Sequence, residues 1–264
     1  MAADGLVLAG AALFGLCLGS FLNVCILRLP HEDRKARSLL NPPSSCPKCH
    51  RRIAWRDNIP IVSWLLLRGK CRHCGRPISL QYPLIEAVVA VLWVAAVLAY
   101  GPGFTALDAG ALGTILLGIA IIDFRHKVIP DELSYGGLVV GLLLALGGGV
   151  SGFLHGVLGA VVGWLLLWAV RVGGGRVLKQ EAMGWGDIKM MAMVGAFVGW
   201  RDVLLTVFLG ALAGTVVYLP MVLARQKRLR HEIPFGVFLT IGAAVAFVAG
   251  DSIISWYLQF VRGS

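Results

Sequence analysis

The chain has 264 residues, of which 58% are apolar, 14% are charged and 34 are glycine. With a mean hydropathy of +0.79 it carries more apolar surface than one water-soluble core of this size holds, and the same composition excludes intrinsic disorder. A net charge of +10 in such a chain reads as the positive-inside bias of a polytopic membrane protein and not as a nucleic-acid footprint.

Eight apolar segments follow one another. Leu6–Leu27 is the first, and Pro83–Tyr100 and Phe104–Ile122 are separated by a Gly-Pro-Gly turn. Leu133–Leu146 and Phe153–Val170 are split by Gly147–Gly149. Ile188–Gly199 and Val203–Leu223 are split by Trp200-Arg201-Asp202, and Phe235–Tyr257 is last. At about 1.5 Å per residue and about 30 Å of hydrocarbon, the expected fold is all-α with about eight transmembrane helices. Leu133–Leu146 and Ile188–Gly199 are short and are expected to tilt or to form broken helices lining a cavity.

Eight spans alternate sides of the bilayer. If the N-terminus is outside, the basic groups at 28–76, 125–127, 171–189 and 225–230 share one face, which then holds 22 of the 24 Lys and Arg residues. This orientation puts both termini outside and the stretch 28–82 in the cytoplasm. Leu6–Leu27 has basic residues after it and none before it, the reverse of a signal peptide, so it is expected to remain as an anchor. The chain therefore divides into a first span (1–27), a soluble cytoplasmic loop (28–82) and a seven-helix membrane domain (83–264).

The loop is too short for a comfortable core of its own, but it contains Cys46-Pro-Lys-Cys49 and Cys71-Arg-His-Cys74. Two such pairs at this spacing read as a four-cysteine zinc site, with all positions filled by protein and hence structural. His50 and His73 adjoin these cysteines and are alternative ligands. Cys17 and Cys25 lie in the first span and read as packing residues.

Aspartates are costly in apolar spans and ask for a reason. Asp123 ends the third span and Asp187 begins the sixth, within Gly184-Trp185-Gly186-Asp187-Ile188-Lys189. Alternation of the spans puts both at the cytoplasmic boundary. Two carboxylates sharing one proton form an aspartic-protease device, one activating water and the other polarising the scissile carbonyl. Gly184 and Gly186 leave room for a substrate backbone. The alternative is structural: Asp187 caps its helix and Asp123 pairs with Arg125 or Lys127. Helix polarity biases a shared proton toward Asp123 and favours Asp187 as the base; Lys189 would reinforce this, whereas Arg125 and Lys127 would reverse it by favouring an ionised Asp123. Asp131 reads first as a helix cap and second as a site neighbour. Glu86, just inside the second span, either pairs with the basic loop or contacts a ligand or substrate.

Together these stretches carry a resemblance. Gly19-Ser20-Phe21-Leu22-Asn23-Val24, Arg28-Leu29-Pro30, the two cysteine pairs, Asn58-Ile59-Pro60, Ser63-Trp64-Leu65, Arg68-Gly69, Ile78-Ser79, Tyr82-Pro83 and Glu86 are followed by Asp123, Ile129-Pro130-Asp131, Gly184-x-Gly186-Asp187-x-Lys189 and Pro234-Phe235-Gly236. The chain resembles the bacterial type IV prepilin peptidases, bifunctional leader peptidase/N-methyltransferases of the GxGD aspartic type. Val237 stands where that family usually has a second proline. The resemblance implies eight membrane helices in the bacterial inner membrane, with Asp123 and Asp187 as the catalytic pair. Gly184, Gly186, Lys189, Asp131 and Glu86 would support the site. It implies cleavage after a glycine of the short basic leader of type IV prepilins and type II secretion pseudopilins. It also implies methylation of the new N-terminus from S-adenosylmethionine, for which the sequence shows no glycine-rich fingerprint. The alternatives are a presenilin or signal-peptide-peptidase type GxGD protease and an ion-coupled transporter.

Overall fold

The computed structural model describes residues 4–33, 35–39, 41, 43–179, 183–223 and 234–263. Arg34, His231 and the basic run Arg225–Arg230 lie outside the described residues. The fold is helical: α1 (Gly5–Arg28), a short α2 (Val62–Leu66), α3 (Gln81–Tyr100), α4 (Phe104–His126), α5 (Asp131–Ala145), α6 (Gly149–Leu178), α7 (Trp185–Leu223) and α8 (Phe235–Arg262). The only β pairing among the described residues is two isolated antiparallel bridges, Ser45 with Arg52 and Lys70 with Pro77.

All eight expected apolar segments are helical, and among the described residues six stretches are long and apolar enough to cross a membrane. Two of these each contain two of the expected segments. Residues 131–177 run on through a short 3₁₀ turn at Leu146–Gly148. The other is α7, where Gly199 (φ 78°, ψ 173°) interrupts the helical geometry. Only glycine adopts that φ without strain, so the break falls where the shorter segment was expected to end.

The chain forms two compact units, residues 1–114 and 115–264. In the first, α1 and α3 pack antiparallel. A Cβ on Gly15 would lie 2.7 Å from the Cα of Ala90, and one on Gly19 would lie 2.7 Å from the Cα of Glu86. Small residues set such close approaches between membrane helices, where the hydrophobic effect gives little drive. Asn23 Nδ2 donates to the carbonyl of Tyr82 at 3.1 Å. Trp93 is buried, and its Nε1–H donates to Thr114 Oγ1 at 3.0 Å.

In the second unit, α7 packs against α5, α6 and α8. Its first half is the most buried apolar stretch, with Ile188, Met190, Met191, Met193 and Val194 all inaccessible. The end of α4 is fixed by Lys127 in a left-handed conformation (φ 56°), its N–H donating to the carbonyl of Asp123 at 2.9 Å. Ile129-Pro130 then leads into α5. The carboxyl end of α4 and the amino ends of α5, α7 and α8 carry the residues of the candidate site.

Candidate active site

Asp123 lies in the last turn of α4 and is 5% exposed. Its Oδ2 accepts the backbone N–H of Val237, in the first turn of α8, at 3.1 Å, and the backbone N–H of Gly236 also reaches this carboxylate. The amino end of a helix presents unpaired N–H groups, and no side chain of the preceding Pro234 caps α8. Asp123 takes that place from 114 residues away in sequence. A Cβ on Gly236 would lie 2.7 Å from Asp123 Oδ2, so the approach requires glycine.

Asp187 is the third residue of α7 and partly buried. The backbone of Gly184 reaches its carboxylate, and a Cβ there would lie 3.1 Å from Oδ2. The Asp123 carboxylate is close enough to act electrostatically on Asp187. The Ile129 side chain lies between the two flanking turns. A Cβ on Gly186 would be 2.9 Å from Ile129 Cβ, and one on Gly236 would be 2.9 Å from Ile129 Cδ1. The structure thus brings together the two aspartates, Gly184, Gly186, Ile129 and Gly236. Each carboxylate faces a helix amino end, Asp187 that of α7 and Asp123 that of α8. Helix polarity therefore favours charge on both carboxylates and does not separate them.

Asp131 is not a helix cap. The cap position belongs to Pro130 and Asp131 is the first residue of α5. Its carboxylate is taken by Lys189, whose Nζ lies 2.8 and 2.9 Å from Oδ1 and Oδ2. The same ammonium sits 5.4 Å from the Tyr135 ring centroid. Lys189 thus ties the first turn of α7, two residues past Asp187, to the first turn of α5. Sequence reasoning missed Arg171. From α6 its guanidinium donates to the carbonyl of Met183 and lies 4.9 Å over the Trp185 ring, fastening the turn that leads to Asp187. It also missed the backbone amides of Gly236 and Val237. The signal available for these was an apolar helix opening at Pro-Phe-Gly without a side-chain cap.

In the first unit, the ligand atoms of Cys46, Cys49, Cys71 and Cys74 all lie within 4.8 Å of one another, and the Cys46 and Cys74 sulfurs are 3.9 Å apart. A tetrahedral zinc with bonds of about 2.3 Å separates its sulfurs by about 3.8 Å, so the four residues fit zinc. The two knuckles repeat one backbone pattern. Cys46 N–H donates to Arg51 O and Cys71 N–H to Arg76 O, while His50 N–H donates to Cys46 O and Gly75 N–H to Cys71 O. His50 (φ 56°) occupies the turn position that Gly75 (φ 67°) fills in the second knuckle. The N–H groups of Cys49 and Lys48 push the Cys46 thiol down to about 6, and those of Cys74 and His73 lower Cys71. At Cys74 the Arg76 N–H favours the thiolate, but desolvation and the neighbouring sulfurs outweigh it and push this thiol up to about 11. Four sulfurs so close all become thiolates only with a cation between them.

Glu86, in the first unit, is 6% exposed. Its Oε2 accepts the N–H of Ile61 at 2.7 Å, and its carboxylate also bonds the Ser20 side chain. The expected partner in the loop is thus a backbone amide.

Residues 13–100 match the Bacterial Peptidase A24 N-terminal domain, and residues 110–219 match the Type IV leader peptidase family. A prepilin leader peptidase/N-methyltransferase of Aeromonas hydrophila is 37% identical over 266 residues, covering 93% of this chain and 92% of that protein. Proteins of the same name from Xanthomonas campestris pv. campestris (36% identity; 97% and 96% covered) and Stutzerimonas stutzeri (38%; 96% and 94%) are similar over equally long stretches. No solved structure gives a significant match. Six apolar helices together with matches running the length of the chain identify a multi-pass membrane protein that belongs to the type IV leader peptidase family.

Proposed function

We propose that this chain is an aspartic endopeptidase of the bacterial inner membrane that removes the short basic leader of type IV prepilins and pilin-like secretion subunits, and methylates the new N-terminus. The family and the names of its relatives support both activities. The observation that carries the protease reading is the pairing of Asp123 and Asp187 at two helix amino ends, walled by Gly184, Gly186 and Gly236.

The pair shares one proton. A water held between the carboxylates gives a proton to the ionised aspartate as its oxygen attacks the scissile carbonyl carbon. The protonated aspartate hydrogen-bonds the carbonyl oxygen as that oxygen gains charge. Collapse of the tetrahedral intermediate breaks the C–N bond, and the leaving amine takes a proton from the pair, which returns to its starting state. The backbone amides of Val237, Gly236 and Gly184 hold the carboxylates in place without spending a side chain, and the Lys189–Asp131 pair fixes the first turn of α7. Gly184, Gly186, Lys189 and Asp131 are positioning residues in this account, and Glu86 positions the loop.

Zinc on Cys46, Cys49, Cys71 and Cys74 would cross-link the loop and leave no open position for catalysis. Methylation calls for S-adenosylmethionine. The relatives' names and the intact loop support this activity. The positive-inside bias supports periplasmic termini and a cytoplasmic zinc loop and active site. We divide the chain functionally into residues 1–27 as anchor, 28–82 as methyltransferase-associated zinc loop and 83–264 as protease domain.

The test is co-expression with a prepilin, followed by mass spectrometry of the pilin. Leader loss together with one added methyl group is expected with the intact chain. An uncleaved prepilin with the intact, membrane-inserted chain would refute the reading.

A further inference from the structure

The cysteine loop reads from sequence as a soluble piece, yet its middle section has the chemistry of an element lying in lipid. The only buried residue of α2 is Ser63, whereas Val62, Leu65 (61% exposed) and Leu66 (78% exposed) face outward. The neighbouring Ile59 and Trp55 are exposed as well. A water-facing helix shows the opposite polarity, with its serine outside and its leucines inside.

Depth follows from Glu86. It lies five residues into α3, about 7.5 Å along the axis from Gln81, in a helix of 20 residues whose apolar length matches the hydrocarbon core. Helical side chains lean toward the amino end. The Ile61 N–H bonded to this carboxylate therefore sits between the levels of Glu86 and Gln81, in the boundary layer of the bilayer. Ile61 itself has φ 59° and ψ −51° and its turn is closed by Val62 N–H donating to Pro60 O at 2.5 Å. This is a γ-turn that a β-branched residue adopts only under constraint. The buried carboxylate supplies that constraint.

Backbone in lipid must be internally satisfied, and most N–H groups of this stretch are bonded within it. Ile59 N–H donates to Ser63 Oγ, which in turn donates to Arg56 O. The N–H groups of Ser63, Leu65, Leu67, Arg68, Gly69 and Lys70 all donate to carbonyls within residues 59–67. Leu84, near the amino end of α3, is exposed, and Arg68 and Lys70 are exposed just past the apolar stretch. Apolar groups followed by cations match acyl chains overlaid by anionic headgroups.

We infer that residues 59–66 form a re-entrant segment of the zinc loop, pinned by Glu86 to α3 at the membrane boundary, with Val62, Leu65 and Leu66 immersed in the acyl chains of the bilayer. The occupant of this surface is lipid. It rests on the membrane-spanning fold alone and not on the proposed activity.

The test uses the full chain in nanodiscs of phosphatidylethanolamine and phosphatidylglycerol, with the photoreactive residue benzoylphenylalanine replacing Leu65 or Leu66. Leu98, exposed on α3, is the lipid-facing control, and Lys48, exposed on the first knuckle, is the water-facing control. After illumination, mass spectrometry should find phospholipid adducts at 65 and 66 at yields comparable to 98, with none at 48. Adducts at 98 with none at 65 and 66 would overturn the inference, as would cross-links from 65 and 66 to protein alone. Glu86→Ala should lower the adduct yield at 66 and leave that at 98 unchanged. An unchanged yield at 66 would remove the carboxylate from its anchoring role.

Discussion

Gly236 couples the two halves of the candidate site at the residue scale. Its missing side chain lets the amino end of α8 reach Asp123, and the same face meets Ile129. Gly236→Ala should therefore lower leader cleavage by about tenfold or more, a barrier increase of at least about 1.4 kcal/mol. It should do so without unfolding, because alanine is the better helix former. A variant with wild-type cleavage would show that the approach is not needed. The Lys189–Asp131 pair is more exposed, so removing it should cost little stability while loosening the first turn of α7. Lys189→Met and Asp131→Asn should each reduce kcat severalfold, and the double variant should be no worse than either single one. Additive losses would mean that the two residues act separately. The aspartates were legible in the sequence because a carboxylate in an apolar run is expensive and stands out. Their amide partners were not. Val237 donates through its backbone, which leaves no trace in its side chain, and the contact spans most of the membrane domain. Asp131 misled because acidic residues after Ile-Pro suit both a cap and an ion pair, and only the fold brings Lys189 within reach.

Among the elements, the cysteine knuckles were the most legible, since C-x2-C spacing dictates a turn and two turns dictate a cluster. Purified protein should hold one zinc per chain, and elemental analysis giving a metal-free but natively folded loop would contradict this. With Cys46 lowered from 9.0 to about 6, the stability contributed by its thiolate is complete above the ordinary value and is lost as the pH falls through about 6. Protons compete for Cys46 only below about 6, whereas for Cys74, pushed up to about 11, they compete already at neutral pH. Zinc affinity should therefore weaken steadily on acidification, together with loosening of the loop. An affinity that does not change with pH would contradict this. The helix count was legible only approximately. Apolar runs mark what is helical, but the joining of 131–177 and the break inside α7 depend on single glycines whose backbone angles composition does not reveal. The polarity of α2 was illegible for a related reason. Five residues are too few for a periodic pattern, and its inversion appears only once Ser63 is seen to be the buried one.

For the whole molecule, the charge asymmetry makes a prediction about sidedness. Reporter fusions that fluoresce only in the cytoplasm should be dark at the C-terminus and bright when inserted between residues 126 and 131, beside the candidate site. The reverse pattern would invert the orientation and place the aspartates on the wrong side for a cytoplasmic leader. The two compact units meet in the chain within α4, at Thr114 and Ile115. The cysteine cluster belongs to the first unit and both aspartates to the second. Loss of zinc should accordingly impair methylation at least as much as cleavage.

The central claim is that Asp123 and Asp187 act as one catalytic pair, and mass spectrometry of a prepilin co-expressed with each variant tests it most directly. Asp123→Asn and Asp187→Asn should each lower leader removal by at least about 10³-fold, with both proteins present in the membrane at normal levels. Processing near the wild-type rate in either variant would contradict the account.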